Sequence, residues 1–216
     1  HCISSAASDV YKRQADRLKG THMKLVIAEK PSVGNSIARM IGADRQRGDG
    51  FTSGNGYIVS WCFGHLVALS SPEEYDKRYA KPWKLSNLPI IPEEFRWTVA
   101  ESTAPQFEKL KALMERPDVD EIICATDAGR EGECVFRYVY YQAGCTKPFK
   151  RLWISSMTDE AIRDGFEHLR PGSDYDALYR SGLARNKADW IVGMNATQLF
   201  TCLLYTSPSP RDGLLS

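Results

Sequence analysis

The stretch ATDAGREGE, Ala125 to Glu133, sets Asp127, Glu131 and Glu133 beside Arg130 directly after the apolar run Ile122, Ile123, Cys124. Glu29 stands in the same way after another apolar run, KLVIA. Carboxylates brought together repel one another, so they tolerate proximity mainly when a divalent cation or a shared proton compensates them. Magnesium suits such a set, because it takes oxygen ligands, keeps several waters and is usually held by few carboxylates beside a phosphate. Glu131 falls in the first turn of an expected helix, where the dipole favours negative charge and free backbone N–H groups can face an anion. Acidic residues are also common there simply to balance the dipole, so the loop alone does not specify a metal. Glu133 lies two positions further on and points to another helical face, which leaves a solvated, an arginine-paired or a metal-binding role open.

These residues need strands that end where they begin. From Met23, KLVIA reads as a short buried strand ending at Glu29, and Pro31 is a good first residue for a helix over Ser32 to Ile41, with Val33, Ile37 and Met40 at helical spacing. Asn55-Gly56 is a turn signal ahead of a β-rich run from Tyr57 to Phe63. The proline-rich stretch from Ser70 to Pro92 lacks periodicity and predicts a long ordered loop of the kind that carries function. FRWTVA predicts a strand, and Pro105 to Glu115 a helix bearing Phe107, Leu110, Leu113 and Met114. VDEIICAT is the strand before the acidic loop, and a helix begins near Arg130 and runs to Gln142. FKRLWISS predicts one more strand, Thr158 is a candidate N-cap, and Tyr175 to Phe200 reads as helix throughout. Alternating strands and helices predict an α/β fold with a mainly parallel sheet flanked by helices, in which ligands bind beyond the carboxyl ends of the strands. Glu29 and Asp127 converge there if their strands are neighbours.

At 216 residues and 43% hydrophobic content the chain can bury an ordinary core. A net charge of +1 gives no global electrostatic footprint of a nucleic-acid binder, so any such contact must be local. The six cysteines show no C-x-x-C spacing, which argues against zinc and a disulfide framework. Cys62 and Cys124 lie in apolar runs and read as buried reduced thiols. No apolar stretch is long enough for a membrane span and no signal peptide stands out, so a cytoplasmic protein without membrane association is expected.

Both ends depart from this pattern. Met23 opens MKLVIAEKPSV like a natural start, yet 22 residues precede it. ISSAASDVYKRQ and CLLYTSPSPRD resemble translated sequencing-adapter read-through, with a tag or a disordered tail as the alternative.

The residues assembled so far resemble the Toprim domain of type IA DNA topoisomerases, and within them the bacterial topoisomerase III branch. LVIAEKPSVGNSIA is similar to the family's opening motif, and GHL, YAKPWKLSNLPIIPEEF and ATDAGREGE follow in the family's order. LARNKADWIVGMNATQLF resembles the segment leaving the domain, with Arg185, Asp189, Trp190, Gly193 and Asn195 in register. The resemblance covers Met23 to Thr201. It implies a Toprim domain at 23–157 and a helical exit segment at 158–201 that begins the topoisomerase core, which leaves a non-native or untranslated leader at 1–22 and a non-native tail at 202–216. It further implies a reaction in which a tyrosine attacks a DNA phosphodiester, the other strand passes, and the released 3'-hydroxyl reseals the break. Glu29 would then be general acid and base at that hydroxyl, and Lys30 and Arg130 would offset phosphate charge. Glu29, Asp127 and Glu131 would hold Mg2+, while His65, Arg185 and Asp189 would contact DNA, single-stranded segments above all, with no ATP or other small-molecule cofactor. Arg185 and Asp189 can also be read as a plain ion pair at spacing four.

Two departures from the family pattern stand out. Most members carry Asp-x-Asp-x-Glu, and here Gly129 replaces the middle acid. The nucleophilic tyrosine of the family belongs to a later domain, and Tyr138, Tyr140, Tyr141, Tyr175 and Tyr179 do not match it, so this polypeptide is expected to be inactive alone. The alternatives are a Toprim-type magnesium nuclease or primase, which lacks GHL and the exit pattern, and a non-catalytic module that binds DNA and metal.

Overall fold

The computed structural model describes residues 22–204. The two stretches expected to be non-native therefore lie outside the described residues, apart from His22 and 202–204, the latter continuing the last helix. In chain order the elements are β1 (Met23–Ala28), α1 (Pro31–Ile41), β2 (Gln46–Gly48), β3 (Phe51–Gly54), β4 (Tyr57–Trp61), β5 (Val67–Leu69) and the single turn α2 (Pro72–Tyr75). They continue with β6 (Trp97–Val99), α3 (Ala104–Glu115), β7 (Val119–Ala125), α4 (Arg130–Gln142), β8 (Phe149–Arg151), α5 (Asp159–Glu167), β9 (Arg170–Pro171) and α6 (Asp176–Leu204).

The main sheet has the order β2-β3-β4-β1-β7-β8-β9. Its centre, β4-β1-β7-β8, is parallel, and β2, β3 and β9 attach antiparallel at the edges. Leu25, Val26, Ile27 and Ala28 are all fully buried, as expected of a central parallel strand covered on both faces. Alternate residues feed two cores. Leu25 and Ile27 join Leu110 of α3 and Phe136 and Val139 of α4, whereas Val26 joins Ile37 of α1 and Ile162 of α5. Each large aliphatic side chain so buried contributes roughly 1.5–3 kcal/mol. The α/β architecture expected from alternation is thus present, as three layers.

Local signals account for the entries and exits. Pro31 opens α1 at a position that needs no N–H donor. Asn55 and Gly56 both take positive φ, 50° and 78°, the hairpin turn that their sequence predicts. The Thr158 hydroxyl accepts a hydrogen bond from Ala161 N–H at 3.3 Å and caps α5.

Two expectations are corrected, and one strand was not foreseen. FKRLWISS forms a strand only over Phe149–Arg151, because its partner β7 ends at Ala125 and the chain beyond turns away into the acidic loop. The strand expected over FRWTVA is only Trp97–Val99, and it pairs with β5 in a separate two-stranded sheet. The short edge strand β2 carries no apolar periodicity, since all three of its residues are exposed. The proline-rich loop is ordered. Trp190 of α6 donates from its indole N–H to Ser70 O at 3.0 Å and packs edge-on against Tyr75 and Phe95. Asn195 brackets Ile90, accepting its N–H at 2.6 Å and donating to its carbonyl at 2.8 Å.

Candidate functional site

The site forms because β1 and β7 are neighbours in register, Ala28 opposite Ala125. Each strand hands its chain to a helix, and the two helices go to opposite faces: α1 packs with the core containing Val26, and α4 with the core containing Leu25. That reversal leaves a crevice at the carboxyl ends of the two strands. Glu29 and Asp127 both sit at its rim, and the Asp127 backbone N–H donates to Glu29 Oε2 at 3.1 Å. The bond fixes the Glu29 carboxylate against the start of the acidic loop.

A second wall comes from β4. Cys62 N–H donates to Ala28 O at 2.9 Å and Gly64 N–H to Glu29 O at 3.3 Å, so the segment after β4 crosses the end of β1. This brings His65 to the same place, with Nε2 3.8 Å from Glu131 Oε2 on the first turn of α4. Lys30 and Arg130 are exposed at the starts of α1 and α4, and neither makes an ion pair with a described residue. They present two exposed cations beside a row of carboxylates. Glu29, Lys30, His65, Asp127, Arg130 and Glu131 therefore cluster at one end of the sheet.

Arg185 and Asp189 lie on α6, with Arg185 Nε 3.4 Å from Asp189 Oδ2 in an exposed pair. Asp189 also borders an open groove of about 350 Å3 whose lining includes His65, Trp97, Tyr138, Asn186, Trp190 and Met194. The groove links the helix to the strand-end cluster through His65. Arg185 is not part of its lining.

Loop geometry explains the two glycines of ATDAGREGE in opposite ways. At Gly132 an added Cβ would stand 2.1 Å from the Asp127 carbonyl oxygen, and the Thr126 hydroxyl donates to Gly132 O at 2.7 Å, so the loop is closed tightly on itself there. At Gly129 the backbone is extended, φ 172° and ψ 176°, and an added Cβ would meet nothing within 4 Å. The fold demands glycine at 132 and permits a side chain at 129.

Sequence reasoning missed the support beneath the loop. Arg151 is fully buried at the end of β8. Its Nη1 donates to the carbonyls of Cys124 at 3.1 Å, Thr126 at 2.8 Å and Leu152 at 3.0 Å, and its Nη2 donates to Asp127 O at 2.7 Å. Glu133, also fully buried, lies 3.0 Å from Arg151 Nε, out of line for a hydrogen bond, and accepts one from Arg137 Nε at 2.7 Å. Arg137 in turn donates to Asp176 at 2.6 Å and to Gly172 O at 2.7 Å. Of the roles left open for Glu133, pairing with arginine is the observed one. The signal available in the sequence was an arginine inside the apolar run FKRLW.

The oxygen-only donor set fits magnesium's chemistry, but among the described residues no three His, Cys, Asp or Glu side chains stand close enough to form a closed cage. Glu29 is engaged by the Asp127 amide and Glu131 faces His65. Such a site fits magnesium only with waters and a phosphate completing its shell. Burial holds the Cys62 and Cys124 thiols well above their ordinary range, so they are inert beside it.

The sequence matches the Toprim domain family over residues 24–157. It is 52% identical to DNA topoisomerase 3 of Bacillus thuringiensis over 177 residues, which are 82% of this chain and 24% of that protein. DNA topoisomerase 3 of Shouchella clausii is 51% identical over 178 residues, with the same coverage. The chain thus spans about a quarter of the length of these relatives. Among solved structures, full-length topoisomerase I from Thermotoga maritima matches with a TM-score of 0.54 and 21% identity, covering 82% of this chain and 26% of that one. That likeness is one of fold. Among the described residues no helix is long and apolar enough to cross a membrane.

Proposed function

The chain belongs to the Toprim-domain family, and from that membership we propose that it is the amino-terminal part of a type IA DNA topoisomerase of the topoisomerase III kind. The full-length enzyme would cleave one DNA strand through a 5'-phosphotyrosine link and rejoin it, in the cytoplasm and without ATP. The observation that carries the reading is the Asp127 N–H bond to Glu29, which holds a carboxylate at the crevice rim beside His65 and Glu131.

In this reading Glu29 gives a proton to the departing 3'-hydroxyl oxygen and takes it back on rejoining, which requires hydrogen-bond reach to that atom. Lys30 and Arg130, which pair with no carboxylate among the described residues, meet the scissile phosphate, the lysine as a point charge and the arginine as a two-pronged donor. Asp127 and Glu131, with Glu29 adjacent, would hold magnesium, which when bound supplies charge neutralisation near the phosphate oxygens. His65 and Asp189 face the groove that leads a single strand to the cluster, and Arg185 steadies Asp189 from outside it.

Tyr138, Tyr140 and Tyr179 are poor nucleophiles. Tyr138 is buried, its hydroxyl accepts from Asn186 Nδ2 at 2.9 Å, and burial raises its pKa. Burial also pushes Tyr179 up to about 12, and Tyr140 donates its hydroxyl proton to Lys147 O. The chain alone is therefore expected to bind rather than cleave. Fluorescence anisotropy of a labelled single-stranded oligonucleotide, titrated with the purified chain with and without magnesium, tests this. Metal-dependent binding that exceeds binding to duplex supports the reading. Equal or absent binding under all conditions rejects it, and relaxation of supercoiled plasmid by the chain alone rejects the inert role given to its tyrosines.

A further inference from the structure

The strand-end carboxylates are held by a loop whose own anchorage is unusual. Beyond the end of β7 the carbonyls of Thr126 and Asp127 have left the sheet, and a parallel strand end normally leaves such groups to water. Here they are taken by one buried guanidinium. Arg151 binds four carbonyls at 2.7–3.1 Å, two of which, Thr126 and Asp127, belong to the segment that carries the acidic loop. Its Nε lies 3.0 Å from Glu133, in the same first turn of α4 as Glu131. The Trp153 ring lies under the guanidinium at 5.1 Å and closes it from below. Arg151 thus touches the backbone on one side of the loop and a side chain on the other, while contacting none of Glu29, Asp127 or Glu131 through their carboxylates.

We propose that Arg151 is a positioning residue: by fixing the Thr126 and Asp127 carbonyls it sets the direction of the Asp127 amide toward Glu29 and the spacing of Asp127 from Glu131. The proposal rests on the reading that these carboxylates hold a divalent cation. A lysine at 151 would keep a positive charge opposite Glu133, yet its single ammonium has three donors on one centre and does not span four carbonyls. A purely structural role would be rescued by lysine; a positioning role would not.

The test uses the purified chain, with manganese(II) alone as a paramagnetic stand-in for magnesium, its binding followed by electron paramagnetic resonance, and amide hydrogen exchange followed by NMR. In the wild type, the Asp127 amide is expected to exchange with the amides of β7 as one unit; exchange as fast as in the exposed turn at 101–103 overturns the proposal without any variant. For Arg151→Lys, cooperative melting is expected to persist while manganese affinity falls about 10-fold or more, in the range seen for groups that orient metal ligands, and exchange at Asp127 accelerates. Should that variant fail to fold, Arg151→Gln leaves the Glu133–Arg137 pair in place and keeps a planar amide donor of smaller span, and the same loss of affinity is expected. Wild-type affinity, within about 2-fold, in either folded variant overturns the proposal. If the wild type itself binds no manganese, the cation reading fails, and the exchange data alone then decide whether Arg151 positions the loop.

Discussion

Replacing Glu133 by glutamine is the sharpest test of how the site is supported. Glu133 is fully buried and serves two guanidiniums, Arg137 Nε at 2.7 Å and Arg151 Nε at 3.0 Å, themselves 2% and 0% exposed. Glutamine keeps the shape and removes the charge. Arg137 retains Asp176 at 2.6 Å, whereas Arg151 keeps only neutral carbonyls. Removing one partner of a buried ion pair costs about 3–5 kcal/mol, mostly because the other charge is left unpaired. Against a total stability of roughly 5–15 kcal/mol that is a large share. With a urea slope of about 2 kcal/mol/M, the unfolding midpoint of Glu133→Gln should fall by roughly 1.5–2.5 M at unchanged slope. The exposed pair Arg185 and Asp189 is the internal control: it sits at 3.4 Å with both side chains more than half exposed, and Arg185→Ala should move the midpoint by no more than about 0.25 M. Urea denaturation followed by circular dichroism and by tryptophan fluorescence measures both. A Glu133→Gln shift no larger than that of Arg185→Ala would refute the claim that the buried network carries the loop.

Further outcomes follow from the same geometry. Asn195→Ala leaves the Ile90 N–H and carbonyl without their partner, at about 1–3 kcal/mol for each group left unsatisfied, so limited proteolysis should cut the 70–96 loop faster while the sheet core keeps its hydrogen-exchange protection. Gly129→Asp should keep the wild-type fold, since a Cβ there meets nothing. The added carboxylate should lower its melting temperature in chelator and raise it more steeply than wild type on adding magnesium; a flat magnesium response would show that the acid never reaches the cation. Asp118, gripped by Arg116 at 2.9 and 2.7 Å, has its pKa held down mainly by that hydrogen-bonded fork. Its contribution is present above the unfolded aspartate value of about 3.9 and is lost as pH falls through the lower folded value. The stability gap between wild type and Asp118→Asn should therefore be constant from neutral pH to about 4 and shrink below it.

Much of this arrangement could be read from residues alone, and what could not has a physical cause. An apolar run followed by charges marks a buried strand ending at a site, which is why Glu29 and Asp127 were visible as candidates. Their convergence depends on β1 lying beside β7, a matter of sheet order that no local pattern encodes. The overlong strand expected over FKRLWISS has a related origin: Arg151 reads as an interruption of an apolar run, and only the positions of four carbonyls reveal that the interruption ends the strand. Glu133 could not be assigned because its partners, Arg137 and Arg151, come from four positions and eighteen positions away, and only the nearer was a candidate on helical spacing. Trp190 and Asn195 stood out in the exit helix, but their task, gripping a loop about a hundred residues earlier, belongs to tertiary structure.

That grip has a consequence for how the chain is made. Ser70 meets Trp190 across 120 residues and Ile90 meets Asn195 across 105. At roughly 5–20 residues per second of synthesis, the proline-rich loop waits on the order of 5–20 s after leaving the ribosome before α6 exists to hold it. Contacts of such long sequence separation reward the chain last. The sheet can form in that interval, since its strands end at Pro171, and the groove shared by His65 and Asp189 can appear only when the exit helix docks. The half of the molecule that bears the carboxylates is thus assembled before the half that would lead a strand to them.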